Sequence, residues 1–575
     1  MRTTQEISTR IAMCAAGSLW LLCLAVSGSA QEPTTSDPLR PGGESHRLGP
    51  IETPDPPSPS DSPATTVPPG PLGPLDLPEL PKRATPILAL TRALDTISGD
   101  RMLKDVTHLS GPGFRGRQTG TPDDLRSGLY VAEQFRALGL HPAGIQPLAP
   151  LLQAAGTPPA TIPEAHQSEH WVLADQAIAT RISEGPVLEL LAQARMMVAK
   201  VGVDYLPILD SPSVDVIAPV VFVGYGLVDS KLGINDYEGM DVNKKVVLFL
   251  RGKPEHHQEP FRHADKVRIA REQGAIGYLT ATGPVLSAYE ARRGLGPNPM
   301  AYYGNHAGDP PFPGAWVSTE FAEQILAPGF AKWGATLQAI QAQLNRAPIL
   351  RSMDTKTLVR LSWKSHEQPG LMANIQGAIV GKDPLLREET ILLGAHRDHF
   401  GDQAGLIFHG ADDNASGTAV LLEVARAFIA AGVQTKRTIV FASFSGEEQN
   451  LLGSRLYIKR PARPLTSTVA MINVDHAGVG NGNLTIGLAG LPKTTAQEAG
   501  EFAGLAGKLD LFGFFPGGDH VPFSQAGVPT VAIVSSGRHP HFHQASDRAD
   551  TVDPAILETA ARFVLALAWR LANDP

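Results

Sequence analysis

Four apolar runs in the last third of the chain constrain its fold more than anything else in the sequence. They are TILLGAH (390–396), RTIVFASFS (437–445), VAMINVD (469–475) and PTVAIVS (529–535). Each is too short for a typical helix and continuous in apolar character, as a strand buried on both faces must be. Helical stretches lie between and after them. In GTAVLLEVARAFIAAG, Val420, Val424 and Phe428 recur every four residues, and PAILETAARFVLALAWRL opens on a proline suited to a first turn. Strands alternating with helices predict an α/β fold, a mostly parallel sheet flanked by helices on both faces. Such folds place their sites at the carboxyl ends of the strands.

At 575 residues the chain exceeds what one hydrophobic core organises. A net charge of −8 gives no electrostatic reason to expect a nucleic-acid partner. Arg2 and Arg10 precede the apolar run IAMCAAGSLWLLCLAV and then Gly28 and Ala30, the pattern of a signal peptide over 1–30. Export to the periplasm or beyond is therefore expected, with no stable membrane span after cleavage. Both cysteines, Cys14 and Cys23, fall in that segment, so a mature chain has no disulfide and no thiol ligand. Residues 31–90 are rich in Pro, Ser and Thr and read as an extended spacer. Folded sequence is expected from 91, with an N-terminal helical part over 91–210 that includes DDLRSGLYVAEQFRALG and leans helical through PVLELLAQARMMVAKVG. An insert of mainly β character spans 211–348, carrying VVFVGYG and KKVVLFLRG, and the α/β domain spans 365–575. Oligomeric state is not legible.

Acids and histidines gather where these strands give out. GAHRDHFG brings His396, Asp398 and His399; GADDNASG brings Asp412 and Asp413; FSGEEQNLLGS brings Glu447 and Glu448; NVDHAG brings Asp475. RHPHFHQASD adds His539, His541, His543 and Asp547. Each segment alone suits a solvated acid or a helix cap equally well. Together, at one sheet edge and without cysteine, carboxylates and imidazoles suit Zn²⁺, with Mn²⁺ or Co²⁺ as substitutes. Two ions bridged by one carboxylate would each need one histidine and one further acid. One of the adjacent glutamates could then bind metal while the other takes a proton from water.

In their order these segments resemble the M28 family of di-zinc aminopeptidases, in its bacterial branch with an inserted protease-associated (PA) domain. The resemblance is specific over about 373–571 and looser in the insert. It implies that His396, Asp413 and Asp475 hold one zinc and Asp413, Glu448 and His543 the other. It further implies Glu447 as general base, Asp398 as the acid behind His396, and a cis peptide bond between Asp413 and Asn414. His399 lies outside the family pattern and reads as a polar loop residue, Asp412 as structural, and His539 and His541 as surface or rim residues. Asp519 and His520, in GGDHVPF, read as orienting loops or substrate. Asp547 reads as a buttress for His543 or a turn cap, and Arg397, where the family often has an aromatic residue, as able to alter the pocket. The expected activity is removal of N-terminal residues from peptides. A metallo-carboxypeptidase, a glutaminyl cyclase-like transferase and a non-catalytic binding protein are the alternatives; Arg397 leaves room for the first, and the complete ligand set opposes the last.

Overall fold

The computed structural model describes residues 86–574, apart from 193–194, 258–260, 287–294, 305–308, 332–334, 348–351 and 515–516. The expected signal peptide and nearly all of the expected spacer lie outside the described residues. A helix begins at Pro86, inside the stretch read as spacer. Its Ala89, Leu90, Ala93 and Leu94 form a buried apolar stripe, which outweighs the proline-rich character of the sequence before it.

Among the described residues the larger sheet has ten strands. At its centre Thr438–Phe444, Thr390–His396, Thr468–Val474 and Thr530–Ser535 run parallel in that spatial order. Antiparallel strands flank this core, with Ser365–Ile379 and His170–Ile182 on one side and Leu484–Ala489 on the other. The sheet is mixed, and its parallel centre is the part that alternating strands and helices foretell. Neighbouring residues of Thr390–His396 enter opposite cores: Ile391, Leu393 and Ala395 one, Leu392 the other. Side chains alternate across a strand, so a run apolar at every position must be covered on both faces. Gly417–Ala430, Pro554–Asn573 and Gly99–Leu109 cover one face; Leu452–Lys459 and His520–Gln525 lie on the other.

Among the described residues the smaller sheet has eight strands, drawn from residues 187 to 363. Val214–Phe222, Val246–Leu250, Gly277–Ala281 and Gly314–Val317 run parallel, and Met353–Trp363 pairs antiparallel with Val187–Ala192 and Val214–Phe222. The helical reading of PVLELLAQARMMVAKVG is wrong: Val187–Ala192 and Arg195–Val198 are strands. Leu188 and Leu190 point into the core at period two. Leu-Glu-Leu-Leu-Ala has good intrinsic helix propensity, but pairing with Met353–Trp363 overrides it. Among the described residues no helix is long and apolar enough to cross a membrane.

Candidate metal centre

The parallel strands deliver the chemistry at their carboxyl ends. His396 is the last residue of Thr390–His396, Asp475 follows Thr468–Val474, and Glu447 and Glu448 lie just beyond Thr438–Phe444. Asp413 comes from the irregular turn Ala411–Ser416, which contains a cis Asp413–Asn414 bond. Asn414 ties that turn to the sheet, donating to the Val474 carbonyl at 2.9 Å and accepting from Gly417 N–H at 2.8 Å. Gly410 must be glycine: its φ is 60°, and a Cβ there would lie 2.4 Å from the Asp413 carbonyl oxygen.

Ligands on one tetrahedral zinc, each about 2.0–2.1 Å from the metal, sit about 3.3 Å from one another. His396 Nε2 lies 3.4 Å from Asp413 Oδ1 and 3.3 Å from Asp475 Oδ1. His543 Nε2 lies 3.2 Å from Asp413 Oδ2 and 3.6 Å from Glu448 Oε2. Two donor sets therefore share Asp413, one through each carboxylate oxygen. His396 Nε2 is buried without a hydrogen bond although two carboxylates flank it, as a cation-facing nitrogen would be. These donors and spacings fit divalent ions.

Burial opposes charge on Asp413, yet the surrounding histidines, His476 foremost, hold its carboxyl well below the usual carboxylate range. Burial instead drives Glu447 and Glu448 well above that range, and neighbouring carboxylates push the same way. The backbone N–H of Glu447 donates to Asp398 Oδ1 at 3.2 Å, and that carboxylate oxygen lies 3.6 Å from His396 Nδ1.

The sequence profile of peptidase family M28 matches residues 374–568, the stretch that holds both donor sets and Glu447. This part of the chain is similar to peptidase family M28. A probable leucine aminopeptidase of Arthroderma otae is 30% identical over 243 residues, covering 36% of this chain and 65% of that protein. A probable glutamate carboxypeptidase of Zea mays is 26% identical over 506 residues, covering 79% of this chain and 64% of that protein. The chain thus spans just under two thirds of the length of these curated relatives. Among solved structures, an aminopeptidase from Aneurinibacillus sp. strain AM-1 superposes with a TM-score of 0.57 at 19% identity, covering 84% of this chain and 96% of that one. A zinc aminopeptidase from Bacillus subtilis gives 0.53 at 20% identity, covering 83% and 96%. At such identities the likeness is one of fold.

Several residues of this M28-like domain depart from expectation. Arg397 lies in the interior, fully buried, paired with Asp124 Oδ1 at 2.9 Å and donating to the carbonyls of Ala373 and Ser443. It clamps the N-terminal helix Pro122–Ala137 to the sheet and does not shape the pocket. His399 is buried too, with Nδ1 2.6 Å from Glu448 Oε1. That distance is a hydrogen bond, shorter than two ligands on one zinc allow, so His399 orients Glu448. His539 is also buried: its Nδ1 is 2.7 Å from Asp412 Oδ2 and its Nε2 is 3.0 Å from the Ser535 carbonyl. With the other Asp412 oxygen accepting from Gly478 N–H at 2.8 Å, Asp412 and His539 form a strut between three loops. His541 is only partly buried, with Nδ1 3.0 Å from the Ser546 hydroxyl.

Asp547 neither buttresses His543 nor caps a turn. Its two oxygens accept the backbone N–H groups of Asp412 and Asp413, at 2.9 and 3.0 Å, and so hold the segment that carries Asp413. Asp398 accepts from the Thr119 hydroxyl at 2.9 Å and from Glu447 N–H; His396 Nδ1 lies closer to its backbone oxygen, 3.3 Å, than to its carboxylate, 3.6 Å. Asp519 is buried, and burial pushes its carboxyl up to about 7. His520 beside it is buried and stands edge-on to Phe514.

Two residues were not singled out from sequence. His476 Nε2 lies 3.6 Å from Asp475 Oδ1 and 3.8 Å from Asp413 Oδ2, and its place directly after Asp475 was the available signal. Arg117, fully buried, donates to the carbonyls of Leu109, His409 and Gly410 and so braces the loop leading into Asp413. Nothing in the sequence around Arg117 distinguishes it from a surface arginine.

Proposed function

We propose that the chain is a dinuclear zinc aminopeptidase, exported from the cell, that removes N-terminal residues from peptides. The observation that carries this is the pair of donor sets, spaced 3.2–3.6 Å and sharing Asp413, beside a glutamate that belongs to neither. His396, Asp413 and Asp475 would hold one ion; Asp413, Glu448 and His543 the other. When bound, the ions would supply Lewis-acid activation of a water and of the scissile carbonyl. Glu447, adjacent in sequence to Glu448 and close to the first donor set, takes the water's proton and returns it to the leaving amine. Asp398 fixes the Glu447 backbone through its N–H, and His399 fixes the rotation of the Glu448 carboxylate. The PA-like insert expected over 211–348, whose strands lie in the smaller sheet, is read as covering the cleft.

The maize relative's name suggests a carboxypeptidase as the second reading. Such an enzyme needs a cation aimed at the substrate's terminal carboxylate. Arg397 and Arg117 are both buried and committed to partners within the protein, which removes the residue that favoured that alternative. Incubating zinc-loaded protein with matched free and N-acetylated peptides, and following both ends by mass spectrometry, tests the proposal. Shortening from the N-terminus of the free peptides alone supports it. Loss of C-terminal residues, or equal cleavage of the acetylated set, rejects it.

A further inference from the structure

The two donor sets differ in what holds their histidines. His396 ends a strand in the centre of the larger sheet, paired opposite Phe444 on one side, while on the other the ladder runs as far as Gly394. His543 sits in a loop at φ 54°, outside any strand or helix. Its support comes from the other module. His543 Nδ1 lies 3.1 Å from the carbonyl oxygen of Ala301, and Ala301 N–H donates to the His543 carbonyl at 2.9 Å. Ala301 is fully buried in the segment MAYY (300–303), between strands of the smaller sheet.

The rings on either side of His543 are anchored in the same module. Phe542 stacks on His543 at 3.8 Å and belongs to the apolar cluster of Ile208, Tyr278 and Trp316. Phe400 meets His543 edge-on at 4.7 Å and belongs to the cluster of Leu206, Tyr303 and Val317. A carbonyl is an acceptor only, so it places the ring proton on Nδ1 and leaves Nε2 as the lone-pair nitrogen facing Asp413 and Glu448. Among the described residues no comparable contact from the smaller sheet's module reaches His396, whose nearest partners are Asp398, Asp413 and Asp475.

We infer that the backbone of Ala301, supplied by the smaller-sheet module, is the positioning group of the second metal position, so that seating of this module and occupancy of that position are coupled. The inference rests on the dinuclear reading above and deepens it. Coupling of this kind is reciprocal: a seated module raises affinity at the His543 position, and metal there tightens the module's seat. A displaced MAYY segment leaves the His396 position intact.

The test uses the full chain. Ala301→Leu adds bulk at the contact, while Ala301→Gly keeps both backbone hydrogen bonds. Zinc stoichiometry and affinity are read by competition with a chromophoric chelator. For Ala301→Leu one zinc of two is expected to weaken by about 10- to 100-fold with the other unchanged; Ala301→Gly should match the parent. Hydrogen exchange on the unaltered protein covers the case in which the leucine variant does not fold. Zinc should slow exchange across 300–303 and leave the helix Leu337–Arg346 of the same module unchanged. Equal weakening of both positions, or no weakening, together with no zinc-dependent protection of 300–303, would overturn the inference. Fewer than two zinc ions on the parent protein would instead reject the dinuclear reading, and this inference with it.

Discussion

His399 and His543 both reach Glu448, and distance alone separates their roles. At 2.6 Å from one carboxylate oxygen, His399 is hydrogen-bonded; at 3.6 Å from the other, His543 leaves room for an ion between them. The same division isolates Glu447, which shares the strand end with Glu448 but belongs to neither donor set. Glu447→Gln is expected to keep both metals and lose about 10²- to 10⁴-fold in turnover, measured by metal analysis beside peptide hydrolysis. Turnover near the parent value would remove Glu447 from the proton-transfer role. Arg397 makes a different kind of prediction. Arg397→Met leaves Asp124 buried without its ion pair and should cost about 3–5 kcal/mol in urea unfolding. Arg397→Lys should recover little, because an ammonium cannot reproduce the guanidinium's fixed set of donors to Asp124, Ala373 and Ser443.

At the scale of elements, the turn Ala411–Ser416 and the helix that follows it are one device. The turn offers Asp413 to the site, and its junction with the helix tolerates no side chain at Gly417. A Cβ there would lie 2.4 Å from Asn414 Oδ1 and 2.6 Å from the Val474 carbonyl oxygen. Replacing glycine by alanine in a helix ordinarily stabilises it by about 1 kcal/mol. Gly417→Ala should have the opposite sign, costing about 1–3 kcal/mol in thermal unfolding and lowering zinc affinity at both positions. A stabilised variant with normal zinc binding would contradict this account of the junction. The central strands were legible in sequence because each is apolar at every position, a pattern that few other placements satisfy. The strands Val187–Ala192 and Arg195–Val198 were not, because short Leu- and Met-rich segments read as helix until Met353–Trp363, which sets Leu361 opposite Leu188, is known to lie alongside the first of them. Burial of Arg397, His399 and His539 was hidden for the same reason. Each is paid for by an acid distant in sequence: Asp124, Glu448 and Asp412.

For the whole molecule, the two sheets are linked through the site as well as through the chain. Phe400 and Phe542, on loops of the M28-like domain, fill apolar clusters of the smaller sheet. Ions held by Asp413 and its partners bind the folded state and not the unfolded chain, so they stabilise it by mass action. Free zinc at a hundred times its dissociation constant contributes about 2.7 kcal/mol per site. Chelation should therefore lower the melting temperature and abolish peptide hydrolysis, with both restored by zinc. An unchanged melting temperature after verified metal removal would mean that the ligands are not brought together by the metal to any useful extent.

The proposed dinuclear site requires one carboxylate, that of Asp413, to serve two ions. Anomalous diffraction at the zinc edge from crystals of the zinc-loaded protein tests it most directly. Two peaks about 3.5–4 Å apart are predicted, one among His396, Asp413 and Asp475 and one among Asp413, Glu448 and His543. A single peak, or two that do not share Asp413, would contradict it.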